Sequence, residues 1–359
     1  MRYLFLTFLL MESIVSWSQA DSTQQKNSIA IYPAVGYTPE TTLLFGPIAV
    51  MKLKSRDESQ SEYERQSTFT PVLIYTLRNQ FLTELTLQYF FKNGNNLNTQ
   101  PSYYVYPDYY FGIGNDTDAD VYETYISRYV QVGGQFYFPI STKAFWGVAF
   151  DFNSTKLEEL EPGGLLLTDN PLGVEGGALL GIGPAVKLDS RNSAIYPTKG
   201  NLFAFQSLVT KIGAYDFAST RLDLRKYMTV SNEKSILAIQ FVSQVTIGDA
   251  VPFYRLPRVG GGTQLRGIAN ASLYRDRQMV YTQAEFRQHV WWRFGVVGFA
   301  GLGGVTPKWS SFDISELRYV GGIGLRFQVM PDERINLRMD LGFSQDGQSG
   351  FYVGMQEAF

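Results

Sequence analysis

The stretch Arg334-Ile335-Asn336-Leu337-Arg338-Met339-Asp340-Leu341-Gly342-Phe343 decides how this chain is read. In an extended strand successive side chains point to opposite sides. Ile335, Leu337, Met339, Leu341 and Phe343 therefore share one face, and Arg334, Asn336, Arg338 and Asp340 the other. In a soluble sheet the apolar face would need a covering layer. Here the alternation recurs with no helical pattern to supply one. In 81–91, Phe81, Leu85, Leu87, Tyr89 and Phe91 oppose Glu84, Thr86 and Gln88. In 220–228, Leu222, Leu224 and Met228 oppose Arg221, Asp223, Arg225 and Tyr227, and in 317–327, Leu317, Tyr319, Ile323, Leu325 and Phe327 oppose Arg318 and Arg326. An isolated charge on a lipid-facing wall at mid-membrane costs about 2–4 kcal/mol. Turning the mixed-charge faces toward a wet, charge-paired interior avoids that cost. The pattern predicts an all-β fold, a transmembrane antiparallel β-barrel.

Strand-like segments lie at 28–37, 41–53, 67–78, 80–91, 100–111, 122–138, 143–154 and 175–188, and again at 200–212, 216–229, 234–248, 278–290, 293–305, 317–329, 334–344 and 350–359. That makes about 16 strands, an even number as single-chain bacterial barrels require. Polar connections occupy 54–66, 107–121, 155–174 and 249–277. The last is far longer than a hairpin needs, and loops of such length are usually functional or disordered.

Composition agrees. The 23 Tyr and 26 Phe suit aromatic girdles at two membrane interfaces, and there is no Cys to form a disulfide or thiolate metal site. A net charge of −2 gives no footprint for nucleic acid. Residues 1–20 read as a signal peptide: Arg2, an apolar run from Leu4 to Met11 broken by Thr7, then Ser18-Gln19-Ala20. The run is too short for a membrane-spanning helix. Domain organisation is thus read as signal peptide 1–20 and one barrel domain, 21–359.

Within 249–277 stands Gly260-Gly261-Gly262-Thr263-Gln264-Leu265-Arg266-Gly267-Ile268. Leu265-Arg266-Gly267-Ile268 resembles the arginine-glycine signature of the BamA/TamA family, outer-membrane barrels that insert or translocate other proteins, on a loop that folds into the lumen. Gln283-Ala284-Glu285-Phe286-Arg287 resembles that family's strand with the acidic partner of the arginine. Asp189-Ser190-Arg191 with Tyr196-Pro197-Thr198-Lys199-Gly200 resembles its turn between barrel strands. Gly321-Gly322-Ile323-Gly324-Leu325-Arg326 resembles a penultimate strand, and Phe359 its C-terminal strand signal. The likeness covers about 175–359. Two departures stand out: Gly301 occupies the place of a second acidic partner, and the usual POTRA domains are missing ahead of the barrel, as in a short, barrel-only branch.

The resemblance implies that Arg266 docks on Glu285 inside the barrel and pins the long loop, in chemistry suited to a bidentate guanidinium–carboxylate pair. Without an acid at 301, the lock is weaker or is completed by Asp340 or another lumen acid. The competing reading is an Arg266 that caps a solvated loop.

Other candidates are weaker. His289, the only histidine, lacks a serine or acidic partner and stands beside Trp291 and Trp292, which fits an interface belt better than a catalytic base. Asp116, Asp118 and Asp120 alternate as Ca²⁺ ligands can, yet Val121 stands where an EF-hand needs Gly and Ser127 where it needs Glu; a solvated acidic loop fits better. No enzyme, cofactor or metal site is expected.

The resemblance implies an accessory in outer-membrane protein insertion or transport, located in the bacterial outer membrane. Its partners would be outer-membrane lipids, lipopolysaccharide and periplasmic or outer-membrane assembly proteins. The alternative is a passive pore or structural barrel without insertase activity. In the first reading a weakly paired seam joins 28–37 to 350–359.

Overall fold

The computed structural model describes residues 28–38, 42–53, 67–211, 214–231, 234–330 and 334–359. The expected signal peptide, 1–20, and the connection 54–66 lie outside them. The first strands are β1 (Ser28–Thr38), β2 (Thr42–Leu53), β3 (Ser67–Thr76), β4 (Phe81–Phe90), β5 (Asn96–Tyr110), β6 (Glu123–Pro139) and β7 (Ala144–Glu158). A short helix α1 (Leu165–Asp169) precedes β8 (Gly177–Asp189), β9 (Gly200–Thr210), β10 (Asp216–Thr229) and β11 (Ser235–Ala250). The long connection after β11 holds a separate two-stranded ladder, β12 (Arg258–Val259) with β13 (Tyr274–Arg275). The chain returns to the wall as β14 (Gln278–Trp291), β15 (Phe294–Thr306), β16 (Arg318–Met330), β17 (Ile335–Ser344) and β18 (Ser349–Met355).

Sixteen of these strands, all but β12 and β13, close into one antiparallel barrel with β18 beside β1. This is the expected fold and strand number. Three boundaries differ by four residues from the sequence reading, the first being β7, which runs on to Glu158 rather than ending near 154. β5 begins at Asn96 rather than near 100; Asn98 and Gln100 line the lumen, and Thr99 and Pro101 between and after them break the apolar alternation. The last strand stops at Met355 rather than running to 359, for a reason given below.

The outer wall is apolar: Ile182, Val209, Ile323, Leu325 and Phe343 are all exposed. Trp291, Trp292, Phe294 and Phe327 cluster with ring centroids 5.2–6.3 Å apart at the rim where β1 begins and β18 ends. Phe138 stacks on Trp146 at 4.8 Å on the same rim. Toward the opposite rim, Phe45 meets Tyr75 at 6.0 Å, as Tyr37 meets Phe351. Two aromatic levels around an apolar band are the signature of a barrel embedded in lipid. No helix among the described residues is long and apolar enough to cross a membrane.

The lumen is partly filled. Val259, Leu265, Ile268, Leu273 and Tyr274 of the long connection pack against the inward side chains Val242, Met279, Tyr281, Val305 and Val320. Phe253 and Leu256 join Leu166 of α1 with Tyr110, Tyr125 and Phe217 in a second cluster. Burying Leu265 and Ile268 completely contributes about 1.5–3 kcal/mol each to holding the loop inside.

Candidate functional site

The loop reaches the wall at Arg266. Leu265 adopts a left-handed φ of 40° and Gly267 a φ of 135°, so the chain doubles back on either side of the arginine. A side chain at Gly267 would meet the Phe343 carbonyl at 2.6 Å, and one at Gly342 would meet the Arg266 carbonyl at 2.4 Å. The two glycines let the loop lie flat on β17. Tyr352 of β18 accepts from the Gly267 amide and donates to the Ile268 carbonyl, each at 3.3 Å. Gln283 of β14 donates to the Thr263 carbonyl at 2.9 Å.

Placed this way, the Arg266 guanidinium donates through Nη2 to Glu285 and through Nη1 to Asp340, with all three side chains essentially closed to solvent. Its planar face lies 3.8 Å from the centroid of the Phe299 ring on β15. The structure thus brings Arg266 and Glu285 together and adds Asp340. Gly301 is explained by packing: a side chain there would come within 2.8 Å of Leu265 Cδ2 and 3.0 Å of Gln283 Cβ. β15 therefore offers Arg266 an aromatic face, and β17 supplies the second carboxylate.

Three further arginines and one acid complete the arrangement. Glu285 also binds Arg287 at 2.8 Å, and Asp340 binds Arg326 at 2.5 Å and Arg338 at 3.0 Å. Glu357 lies 2.8 Å from Arg326, 3.8 Å from Arg287, and accepts from Asn336 at 2.7 Å. The contacts close a circuit of alternating charge: Arg266, Glu285, Arg287, Glu357, Arg326, Asp340 and back to Arg266. Arg338 stands outside the circuit and holds the loop from below, donating to the Gly262 carbonyl at 2.7 Å.

Glu357 reaches this place because β18 ends early. Gln356 takes a left-handed φ of 65° and turns the chain out of the wall into the lumen. Phe359, expected to close the last strand, instead packs with Tyr227 and Ala238 inside the barrel, and its main-chain oxygen accepts from Arg287 at 2.8 Å. The cause is visible in the alternation. Phe351 is exposed on the outer wall, and Val353, Met355 and Glu357 follow at two-residue spacing. A continued strand would push the Glu357 carboxylate toward lipid; turning inward gives it two guanidiniums. The parity conflict at Glu357 is visible in the sequence, but the place of its side chain is not. Sequence reasoning also missed Arg287, Arg326 and Arg338 as members of the cluster, because their meeting depends on register across β14, β16 and β17.

The remaining motif residues lie apart from the cluster. At the turn after β8, Arg191 clamps Asp189 through two bonds of 2.9 Å. Pro197 is buried there, and a side chain at Gly200 would strike the Ser190 carbonyl at 2.3 Å. Gly260 and Gly261 both have positive φ, and Gly260 lies against Ile268. His289 sits near the end of β14 beside the tryptophan cluster, and Asp118 accepts from the Asp120 amide at 2.9 Å. No group of metal-ligating side chains occurs among the described residues.

The seam between first and last strands is narrow. β1 pairs with β2 at every residue from Ser28 to Thr38, whereas its register with β18 is Tyr37 opposite Val353.

A closed sixteen-stranded membrane barrel, with a lumen loop pinned by a buried arginine and a short seam, defines the class of protein. Residues 66–359 match the Omp85 superfamily domain, and the chain belongs to that superfamily. Its fold is similar to that of BamA from Haemophilus ducreyi lacking POTRA domains 1-3, with a TM-score of 0.62 at 15% identity over 92% of this chain and 70% of that one. It is also similar to CdiB from Acinetobacter baumannii, with a TM-score of 0.57 at 12% identity over 92% of this chain and 60% of that one. No curated protein matches the sequence significantly.

Proposed function

We propose that this barrel is an outer-membrane accessory that inserts or passes other β-rich polypeptides through a seam between β1 and β18. The observation that carries the reading is the seam. β18 leaves the wall at Met355, so most of the outer edge of β1 has no registered strand beside it among the described residues. An unpaired strand edge is a template for an incoming strand. In lipid, its main-chain groups gain more from a partner than they would in water. The work is templating rather than bond-making chemistry, and no catalytic group is invoked.

Superfamily membership and the resemblance to BamA/TamA barrels support this reading. On this reading the barrel sits in the bacterial outer membrane, with lipopolysaccharide and phospholipid against its apolar band and periplasmic or outer-membrane assembly proteins as partners. The test is reconstitution. Purified protein in liposomes should accelerate folding of an added test barrel, and a disulfide introduced across β1 and β18 should abolish the acceleration until reduced. Equal folding rates with and without the protein would sink the reading and leave a structural barrel.

A further inference from the structure

We propose that the half of the lumen left open by the arginine-bearing loop is a passage for small hydrophilic solutes, shut at one point by the Arg255–Asp151 ion pair. Two cavities occupy that half, of about 260 Å³ and 430 Å³. They share four walls, Tyr104, Tyr129, Gln131 and Arg255, so they meet at a single level. At that level Arg255 reaches across from the loop to Asp151 on β7. Gln131 also donates to Asp151, at 2.8 Å.

The crossing is held rigidly. Arg255 ends a 3-10 turn, Phe253–Arg255, whose Phe253 amide donates to the Leu172 carbonyl at 2.8 Å. The Phe253 ring is wedged between Tyr110 at 5.4 Å and Tyr125 at 6.0 Å. The cation is therefore presented from a fixed roof, and its carboxylate stands on a fixed wall.

Away from this level amides and hydroxyls outnumber charges, which occur as Asp108 with Arg258 at 3.5 Å in the smaller cavity and as Glu84 and Arg221, bonded to Tyr104 and Gln244, in the larger. The larger cavity carries Gln88, Gln100, Gln135, Gln206 and Gln244, the smaller Asn153, Thr155 and Ser127. Amides and hydroxyls exchange hydrogen bonds readily with water and uncharged solutes and hold no ion tightly. Charges at the narrowest level of a pore set which ions pass. Here the two signs cancel, which gives a shut or weakly selective constriction. Breaking the pair from either side should open it and leave opposite fixed charges. This passage lies on the β4–β11 side of the lumen, away from the seam, so its failure and that of the proposed insertion activity are independent.

The experiment is planar-bilayer recording in a KCl gradient on the full chain and on Arg255→Ala and Asp151→Asn, with Arg255→Gln as a milder variant. Folding of each is checked by heat-modifiable gel migration. Arg255→Ala and Arg255→Gln, which free a carboxylate, should raise conductance several-fold and shift the reversal potential toward cation preference. Asp151→Asn, which frees a guanidinium, should shift it toward anions. Opposite signs would establish Arg255 and Asp151 at the constriction. Folded variants that conduct no better than the unsubstituted protein, or that share one reversal potential, would overturn the proposal; a pair that merely tethers the loop predicts the latter.

Discussion

If Glu357 is what turns the tail inward, replacing it with leucine should send the tail back into the wall. Extending the Tyr37–Val353 register by four residues sets Glu357 opposite Pro33, and by six sets Phe359 opposite Ile31. In the present arrangement the carboxylate is 2% exposed and holds Arg326 at 2.8 Å and Asn336 at 2.7 Å. Removing one partner of a buried charge pair costs roughly 3–5 kcal/mol. A glutamate forced onto the lipid side adds a penalty below the 2–4 kcal/mol that applies to arginine and lysine, smaller still near an interface. Glu357→Leu abolishes both terms at once. The inward tail loses its anchor, and the outward strand gains an apolar residue on its apolar face. The first term alone corresponds to about two to four orders of magnitude in the ratio of outward to inward tails. The chain contains no Cys, so an engineered pair is unambiguous. Tyr32→Cys with Ala358→Cys should crosslink slowly in the parent and quickly with Glu357→Leu, because only the outward register brings the two Cα atoms to about 5.5 Å. Equal crosslinking in the two backgrounds would show that Glu357 does not hold the tail.

Arg266→Ala should cost about 3 kcal/mol in urea unfolding, the low end for a broken buried pair, since it removes the guanidinium shared by Glu285 and Asp340 while Arg287, Arg326 and Arg338 still pair with them. A charge swap, Arg266→Glu with Glu285→Arg, should not restore stability: the new glutamate would face Asp340 and the new arginine would face Arg287. Recovery to the parental unfolding midpoint would contradict the two-acid geometry. Gly301→Asp should destabilise by about 1–3 kcal/mol rather than strengthen the lock, because of Leu265 at 2.8 Å, and Leu265→Ala should relieve part of that loss. Gly267→Ala, combining positive φ with a 2.6 Å approach to Phe343, should undock the loop, read as faster proteolytic cleavage within 251–277.

The alternation of residues 334–343 carried the fold, because period-two patterning reports directly on which side of a wall each residue takes. It also turned Asp340 toward the lumen, while the docking of Arg266 on Glu285 came from the resemblance of their motifs to a known family. What it did not give was height. Arg326 lies opposite Arg338, and Asp340 opposite Gly324, only through the β16–β17 register, and no local pattern specifies that pairing. Gly301 illustrates the same limit. In sequence it reads as a lost acid; in the folded barrel it is the space into which Leu265 packs, a contact between residues 36 positions apart. Glu357 is legible only in part: an acid on the Phe351, Val353 and Met355 face conflicts with a lipid-facing strand over 350–359, but the arginines that draw it inward come from β14 and β16.

The circuit gives the missing acid at 301 a further meaning. A carboxylate on β15 would satisfy Arg266 alone. Asp340 on β17 satisfies Arg266 and, at 2.5 Å, Arg326, which in turn holds Glu357 at 2.8 Å. The other branch runs from Arg266 through Glu285 to Arg287, which meets the Phe359 main-chain oxygen at 2.8 Å. Both acids that pin the loop therefore also position an arginine that holds the tail. Residues sharing one buried ionic network do not contribute independently. Undocking Arg266 would leave Glu285 and Asp340 free to draw Arg287 and Arg326 toward themselves and away from the tail. The arginine-bearing loop and the last turn of the chain are thus two ends of one electrostatic element.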